Sequence, residues 1–142
     1  MSEVAKASFQ FNDFLVRESH FVLNLAEEYE FELSFNPSGV VFPRLNRFQL
    51  QIEFEAIDQS ASATIKVIAL AFFQYENIDD IANTPFFTDN APAIAYPYIR
   101  AYVSTLTAQS GIKPIILPTL NLRSMSNVLR KNITVNEEQD SD

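Results

Sequence analysis

The 142-residue chain has no cysteine, no tryptophan, only two glycines and one histidine, and its 10 Lys and Arg face 18 Asp and Glu. Without cysteine there are no disulfides, thiolate metal sites or cysteine nucleophiles. With Gly39 and Gly111 as the only glycines, a Gly-rich phosphate cradle is excluded, and neither HExxH nor GxSxG occurs. The net charge of −8 argues against nucleic acid, because phosphate contacts need clustered Lys and Arg. A basic protein partner suits that charge better. No stretch approaches the roughly 18 apolar residues of a membrane span. The start, MSEVAKASF, lacks the apolar centre of an export signal. A cytoplasmic protein with no membrane insertion is therefore expected.

Catalytic side chains are equally scarce. His20 sits in RESHFVLN with Glu18 and Asp13 nearby. On a strand, residues 18 and 20 share one face, which reads as a solvated polar pair more readily than as a general base. The acids Glu28, Glu30, Glu32, Glu53 and Glu55 form a carboxylate row, but strand alternation produces such a row for solubility alone. No enzyme, metal or cofactor is expected.

What the chain has in quantity is phenylalanine, 13 residues within a hydrophobic fraction of 47%. A chain of this length has limited interior, so the surplus predicts burial between subunits or against a partner. Strand patterns fill the first half. SFQFNDFLV changes parity at Asn12 and Asp13, which predicts a bulge there. EYEFELSF (Glu28 to Phe35) and FQLQIEFEA (Phe48 to Ala56) alternate strictly, apolar inward and acidic or amide outward. Two prolines and a glycine in NPSGVVFPRLN predict a crossing loop over Asn36 to Asn46, whereas DQSAS reads as a short turn. ATIKVIALAFFQY (Ala63 to Tyr75) is apolar on both faces. Its outward Ile68, Leu70 and Phe72 need cover from the chain itself or from a subunit or client.

A helix is predicted from about Ala91 to Gln109, capped by Asp89 or Asn90 and ended by Gly111, with Pro97 as either its effective start or a kink. It is apolar nearly all round and so needs cover from two directions. A second, short helix from about Arg123 to Lys131 completes the pattern. The fold class is α+β: a four-stranded antiparallel sheet with one long and one short C-terminal helix, forming a single domain over 1–132 with a disordered acidic tail over 133–142.

Tyr96-Pro97-Tyr98-Ile99-Arg100, then Ser104 and Leu106, then Leu117-Pro118-Thr119-Leu120-Asn121-Leu122, resembles the signature of the SecB protein-export chaperones. Four antiparallel strands ahead of that stretch, the low isoelectric point and the acidic tail resemble the same family. Two departures stand out. GIKPII (Gly111 to Ile116) looks like an insertion, and Arg123-Ser124-Met125-Ser126 replaces the family's usual Pro-Val-Asn-Phe.

The resemblance implies a holdase that binds unfolded preproteins in extended form for export, working as a homotetramer, a dimer of dimers with the long helix between dimers. Tyr98, Tyr102, Val103 and Leu106, with Ile68, Leu70 and Phe72, are then expected at oligomer interfaces. Phe42, Phe86, Phe87, Ile115, Ile116, Leu117 and Leu120 are expected to touch clients, the alternative being that they close the end of the sheet. Pro114 and Pro118 keep that connector extended. For the motor ATPase of the Sec translocase, the acids expected to serve are Glu18, Glu30, Glu53 and Glu55, although Val22 and Leu70 stand where acids are expected. A SecB fold dedicated to one partner, as in chaperones paired with toxin–antitoxin systems, is the alternative reading, and an enzyme or small-ligand carrier ranks third.

Overall fold

Five strands and two α-helices make up the computed structural model, which describes residues 8–60, 62–118 and 122–137, without the side chains of Ala82, Phe86 and Leu122. In chain order they are β1 (Ser8–Leu23), β2 (Phe31–Phe42), β3 (Arg47–Asp58), β4 (Ala63–Glu76), α1 (Pro85–Gln109), α2 (Leu122–Lys131) and β5 (Ile133–Val135). The sheet order is β1-β4-β3-β2-β5. The first four strands pair antiparallel, and β5 runs parallel to β2 through Gly39 to Val41. The expected four-stranded antiparallel sheet is thus a five-stranded mixed one. Its fifth strand lies in the segment read as acidic tail, where three β-prone residues, Ile133, Thr134 and Val135, find the open edge of β2.

Two bulges shape β1. The pairing with β4 shifts between Phe11 and Asp13, as the change of parity predicts, and again between Val16 and Glu18. The second shift, at Arg17, turns Ser19, Phe21 and Leu23 toward the face that carries Phe14 and Val16. It sends Glu18, His20 and Val22 to the opposite, open face.

β2 runs straight through the expected crossing loop. Burial alternates without a break to Pro37, Gly39 and Val41, and only Pro43 to Asn46 turn the chain, with Asn46 in the left-handed region at φ 52°. Proline and glycine read as loop residues in a sequence window. Here they sit two apart on the core-facing parity, where small side chains make room for Phe48. A Cβ on Gly39 would lie 2.4 Å from Phe48 Cζ.

The core lies between the sheet and α1. Phe48, Leu50, Ile52 and Phe54 on β3, and Ile65, Val67, Ala69, Ala71 and Phe73 on β4, are all buried. Along α1, Phe87, Ala91, Ala95, Ile99, Val103 and Thr107 recur every four residues and are each at most 1% exposed. A four-residue repeat drifts around a helix of 3.6 residues per turn. The buried stripe accordingly winds from the sheet at Phe87 to the α1–α2 connector at Thr107. Thr107 Oγ1 donates to Val103 O (2.8 Å) and accepts from Ile115 N–H (2.9 Å).

Four expectations about α1 change. Its second cover at Val103 and Thr107 comes from the same chain, not from another subunit. The helix begins at Pro85, a residue suited to the first helical position because its missing N–H has no helical acceptor. Pro97 is not the start: it lies inside α1 with Pro92. Asp89 is not the cap but a tie to α2, accepting from Ser126 Oγ (2.5 Å) and pairing with Arg130 Nη2 (3.0 Å). Gly111 ends the helix as expected, at φ 87°. On α2, Met125, Ser126 and Leu129 are buried.

Candidate functional site

The β1–β2 loop and the α1–α2 connector face each other across a groove of about 680 Å³. Leu23, Leu25, Tyr29 and Phe31 form one side, and Ile112 and Ile115 the other. Glu27, Glu28 and Lys113 lie at its rims. Leu25 is fully exposed, an apolar side chain held out into water within the polar run NLAEE.

Both walls are tied down. Tyr29 stacks on Phe31 with ring centroids 5.7 Å apart, and its hydroxyl donates to Asn24 O (2.6 Å). Asn24 N–H donates to Ser62 O (2.7 Å). Beneath the loop, Asp58 is 3% exposed and accepts from Glu30 N–H (2.6 Å), Ser60 Oγ and Ser62 N–H (3.4 Å). The Ser60 hydroxyl, with those backbone donors, holds the Asp58 carboxyl below its ordinary value. Opposite, the connector is bonded at Ile115 to Thr107 and at Pro118 O to the Tyr96 hydroxyl. Anchoring of both walls leaves a groove, with apolar side chains facing each other between polar rims, that is formed before anything enters it, which lowers the ordering cost of binding.

The residues expected to touch clients scatter. Ile115 lines this groove, and Ile116, 66% exposed, stands beside it. Phe87 is enclosed by Phe9, Phe48 and Phe73, and Leu117 is likewise fully buried. Both are spent on the chain's own core and are not available to a client. Phe42 is at the opposite end of the sheet. Leu120 and the Phe86 side chain lie outside the described residues. Leu23, Leu25 and Ile112 escaped notice in the sequence, and Tyr29 and Phe31 read there only as inward strand residues. Lone Leu25 in a polar loop is the signal that marks them.

The expected interface residues divide between the two sheet faces. Tyr98 is 46% exposed on the α1 side, its ring over Phe11 (5.2 Å) and Phe14 (5.3 Å), with Tyr102 and Leu106 half-buried. Val103 is wholly buried and meets no partner surface. Ile68, Leu70 and Phe72 face the other way, because core-facing Val67, Ala69, Ala71 and Phe73 alternate with them. The two sets therefore cannot share one interface.

On that open face Glu18 sits with His20 (3.2 Å), and Glu53 pairs with Lys66 (2.9 Å). The Glu53 hydrogen bond, with the charges of Glu53, Glu55 and Glu18, pushes the Lys66 ammonium above its ordinary value. Glu30 stands apart, at the edge of the groove loop. Among the described residues no cluster of His, Cys, Asp and Glu could hold a metal ion. Among the same residues no helix is long and apolar enough to cross a membrane.

A sheet covered on one face by a long helix, with a groove at one end between a strand loop and the helix connector, is the α+β build of this chain. The chain belongs to the SecB family: residues 22–130 match the family model described as preprotein translocase subunit SecB. It is 29% identical over 136 residues to an uncharacterized protein of Methanocaldococcus jannaschii, covering 88% of this chain and 86% of that one. Its fold is similar to that of a SecB-like chaperone of Mycobacterium tuberculosis solved in complex with a ChAD peptide from the HigA1 antitoxin. There the TM-score is 0.67 at 23% identity, over 80% of this chain and 88% of the other. A protein of unknown function from Streptococcus agalactiae aligns at a TM-score of 0.45 and 11% identity, over 81% of this chain and all of that one.

Proposed function

We propose that the protein is a molecular chaperone that holds unfolded polypeptides in extended form, in the groove between the β1–β2 loop and the α1–α2 connector. The observation that carries this reading is the fully exposed Leu25 facing a pinned apolar connector. An extended segment can place successive apolar side chains there while its backbone stays near the polar rims, without demanding one sequence. The acidic rim at Glu27 and Glu28 favours segments that carry cations.

Assembly as a homotetramer fits the family and the exposed Tyr98, with Tyr98, Tyr102 and Leu106 as the contact on the α1 side. Export as the destination fits family membership. A dedicated partner is the second reading, and one feature of the open face favours it. Val22 and Leu70 are apolar where the resemblance implies acids for the translocase motor, and Glu53 is already paired with Lys66, whose charge also acts on Glu55. The solved relative's antitoxin peptide is of the same kind.

Leu25→Asp tests the groove. Leu25 touches water on all sides, so the variant should melt with the wild type. It should lose most of its ability to suppress aggregation of a reduced, unfolded client followed by light scattering. Full suppression by Leu25→Asp would place client binding elsewhere. Binding of generic unfolded clients, against binding of a single partner only, separates the two readings.

A further inference from the structure

A second cavity, of about 280 Å³, opens on the other end of the sheet, where the first bulge of β1 meets the β2–β3 turn. Phe42, Phe72, Phe48 and Phe73 supply its apolar walls, and Asn12, Asp13, Arg47 and Gln49 its polar ones. Such a volume suits one large side chain rather than a whole ligand. Its apolar lining continues onto the open face, since Phe72 neighbours Leu70, which pairs with the 48%-exposed Leu15.

The charge balance here differs from the groove's: one acid, Asp13, and one arginine, Arg47, line the cavity, against Glu27, Glu28 and Lys113 at the groove. From Pro37 to Ile52 the chain carries two arginines, Arg44 and Arg47, and no acid, although the protein as a whole is at −8. Neither guanidinium is engaged in a hydrogen bond or ion pair among the described residues, whereas Lys66 and Arg130 are paired with acids. A free arginine beside an aromatic-walled cavity is a site for a carboxylate held next to an apolar group. The single acid of the cavity, Asp13, is on the far wall, two strands from Arg47, and its Oδ1 accepts from Phe14 N–H (2.8 Å). An entering carboxylate therefore meets its opposite charge at Arg47, on the β2–β3 side.

We propose that this cavity is a second polypeptide-binding site, independent of the groove, which takes a large apolar side chain with an acidic residue on one side of it. The side chain enters between Phe42 and Phe72 while the carboxylate meets Arg47, with Arg44 adding to the local positive field. The partner is an acidic, aromatic-bearing segment of another protein, the opposite preference to that of the acid-rimmed groove.

Fluorescence anisotropy on the full chain tests this, with a labelled Gly/Ser peptide carrying one Phe preceded by two Glu and a control in which Lys replaces Glu. The Glu peptide should bind more tightly than the Lys peptide, and Arg47→Glu should weaken it by roughly tenfold or more. Phe42→Ser should weaken it as well, while Leu25→Asp should leave it unchanged. That last arm separates this site from the groove: loss of client holding in Leu25→Asp with the Glu peptide still bound supports two sites, and loss of both places the peptide in the groove and overturns the proposal. Equal binding of the two peptides, or unchanged affinity in Arg47→Glu, overturns it too. Binding that appears only when Glu138, Asp140 and Asp142 are replaced by their amides would assign the cavity to the chain's own acidic end, again against the proposal.

Discussion

Replacing Gly39 with alanine should destabilise the protein although alanine suits a strand better than glycine. The added Cβ would sit 2.4 Å from Phe48 Cζ and 2.8 Å from Cε1, well inside van der Waals contact. The ring has little freedom to yield, because Phe48 is 1% exposed and packs edge-on against Phe87 at 4.6 Å. Overpacking of this kind costs about 1–3 kcal/mol. The reduced backbone entropy of alanine returns about 0.5–1 kcal/mol. A net loss of about 1–2 kcal/mol remains, and at about 3–4 °C per kcal/mol for a chain of this size Tm should fall by roughly 3–8 °C. Gly39 also donates its N–H to Asn132 O (3.1 Å), so movement of β2 to relieve the clash should loosen β5. Calorimetry at matched protein concentration measures the shift, since any assembly makes Tm concentration-dependent. Phe48→Leu in the Gly39→Ala background should recover part of the clash term. A Tm for Gly39→Ala equal to or above that of the wild type would refute the reasoning and the close approach it rests on.

Tyr102→Asp and Val103→Asp should part company although they are neighbours: the first should lower the mass seen by light scattering after size exclusion while the chain stays folded, and the second should unfold it, because Val103 is wholly buried in the chain's own core. An unchanged mass for Tyr102→Asp would remove this part of α1 from the subunit contact. Stability should fall on acidification. Asp58 and Asp89 have folded-state values held below the ordinary 3.8, chiefly by the hydroxyls of Ser60 and Ser126. The unfolded chain thus takes up their protons first, so their contribution is present above that value and is lost as pH drops through the depressed ones. The double variant Asp58→Asn, Asp89→Asn should flatten the denaturation midpoint against pH between about 5 and 2; an unaltered slope would show that neither carboxylate matters to it.

Local pattern carried the strands well, since Tyr29 to Phe35 and Phe48 to Phe54 alternate by polarity and a half-buried strand needs nothing more. The first bulge was visible because Phe11 and Phe14 break parity within a few residues. The second was hidden, since Glu18, His20 and Val22 are not a set that polarity alone places outward. The groove was less legible than the sheet. Tyr29 and Phe31 look like ordinary inward strand residues, and only the position of Ile112 and Ile115 across from them makes a binding wall.

Composition and periodicity by themselves excluded thiol and phosphate-cradle chemistry and defined an α+β chain, while particular residues between Tyr96 and Leu122 carried the resemblance to SecB. Those are properties of residue type and short-range spacing. Which apolar residues are spent on the core and which stay available was decided by tertiary structure alone. Phe87 and Leu117 look as sticky as Leu25 in the sequence, but a helix stripe that winds from the sheet to the connector buries the first two. Leu25 is left in water by a loop bonded to Asp58 and Ser62. The parallel fifth strand has the same origin: Ile133 to Val135 is too short to be stable alone, and forms because α2 delivers it to the unpaired edge of β2.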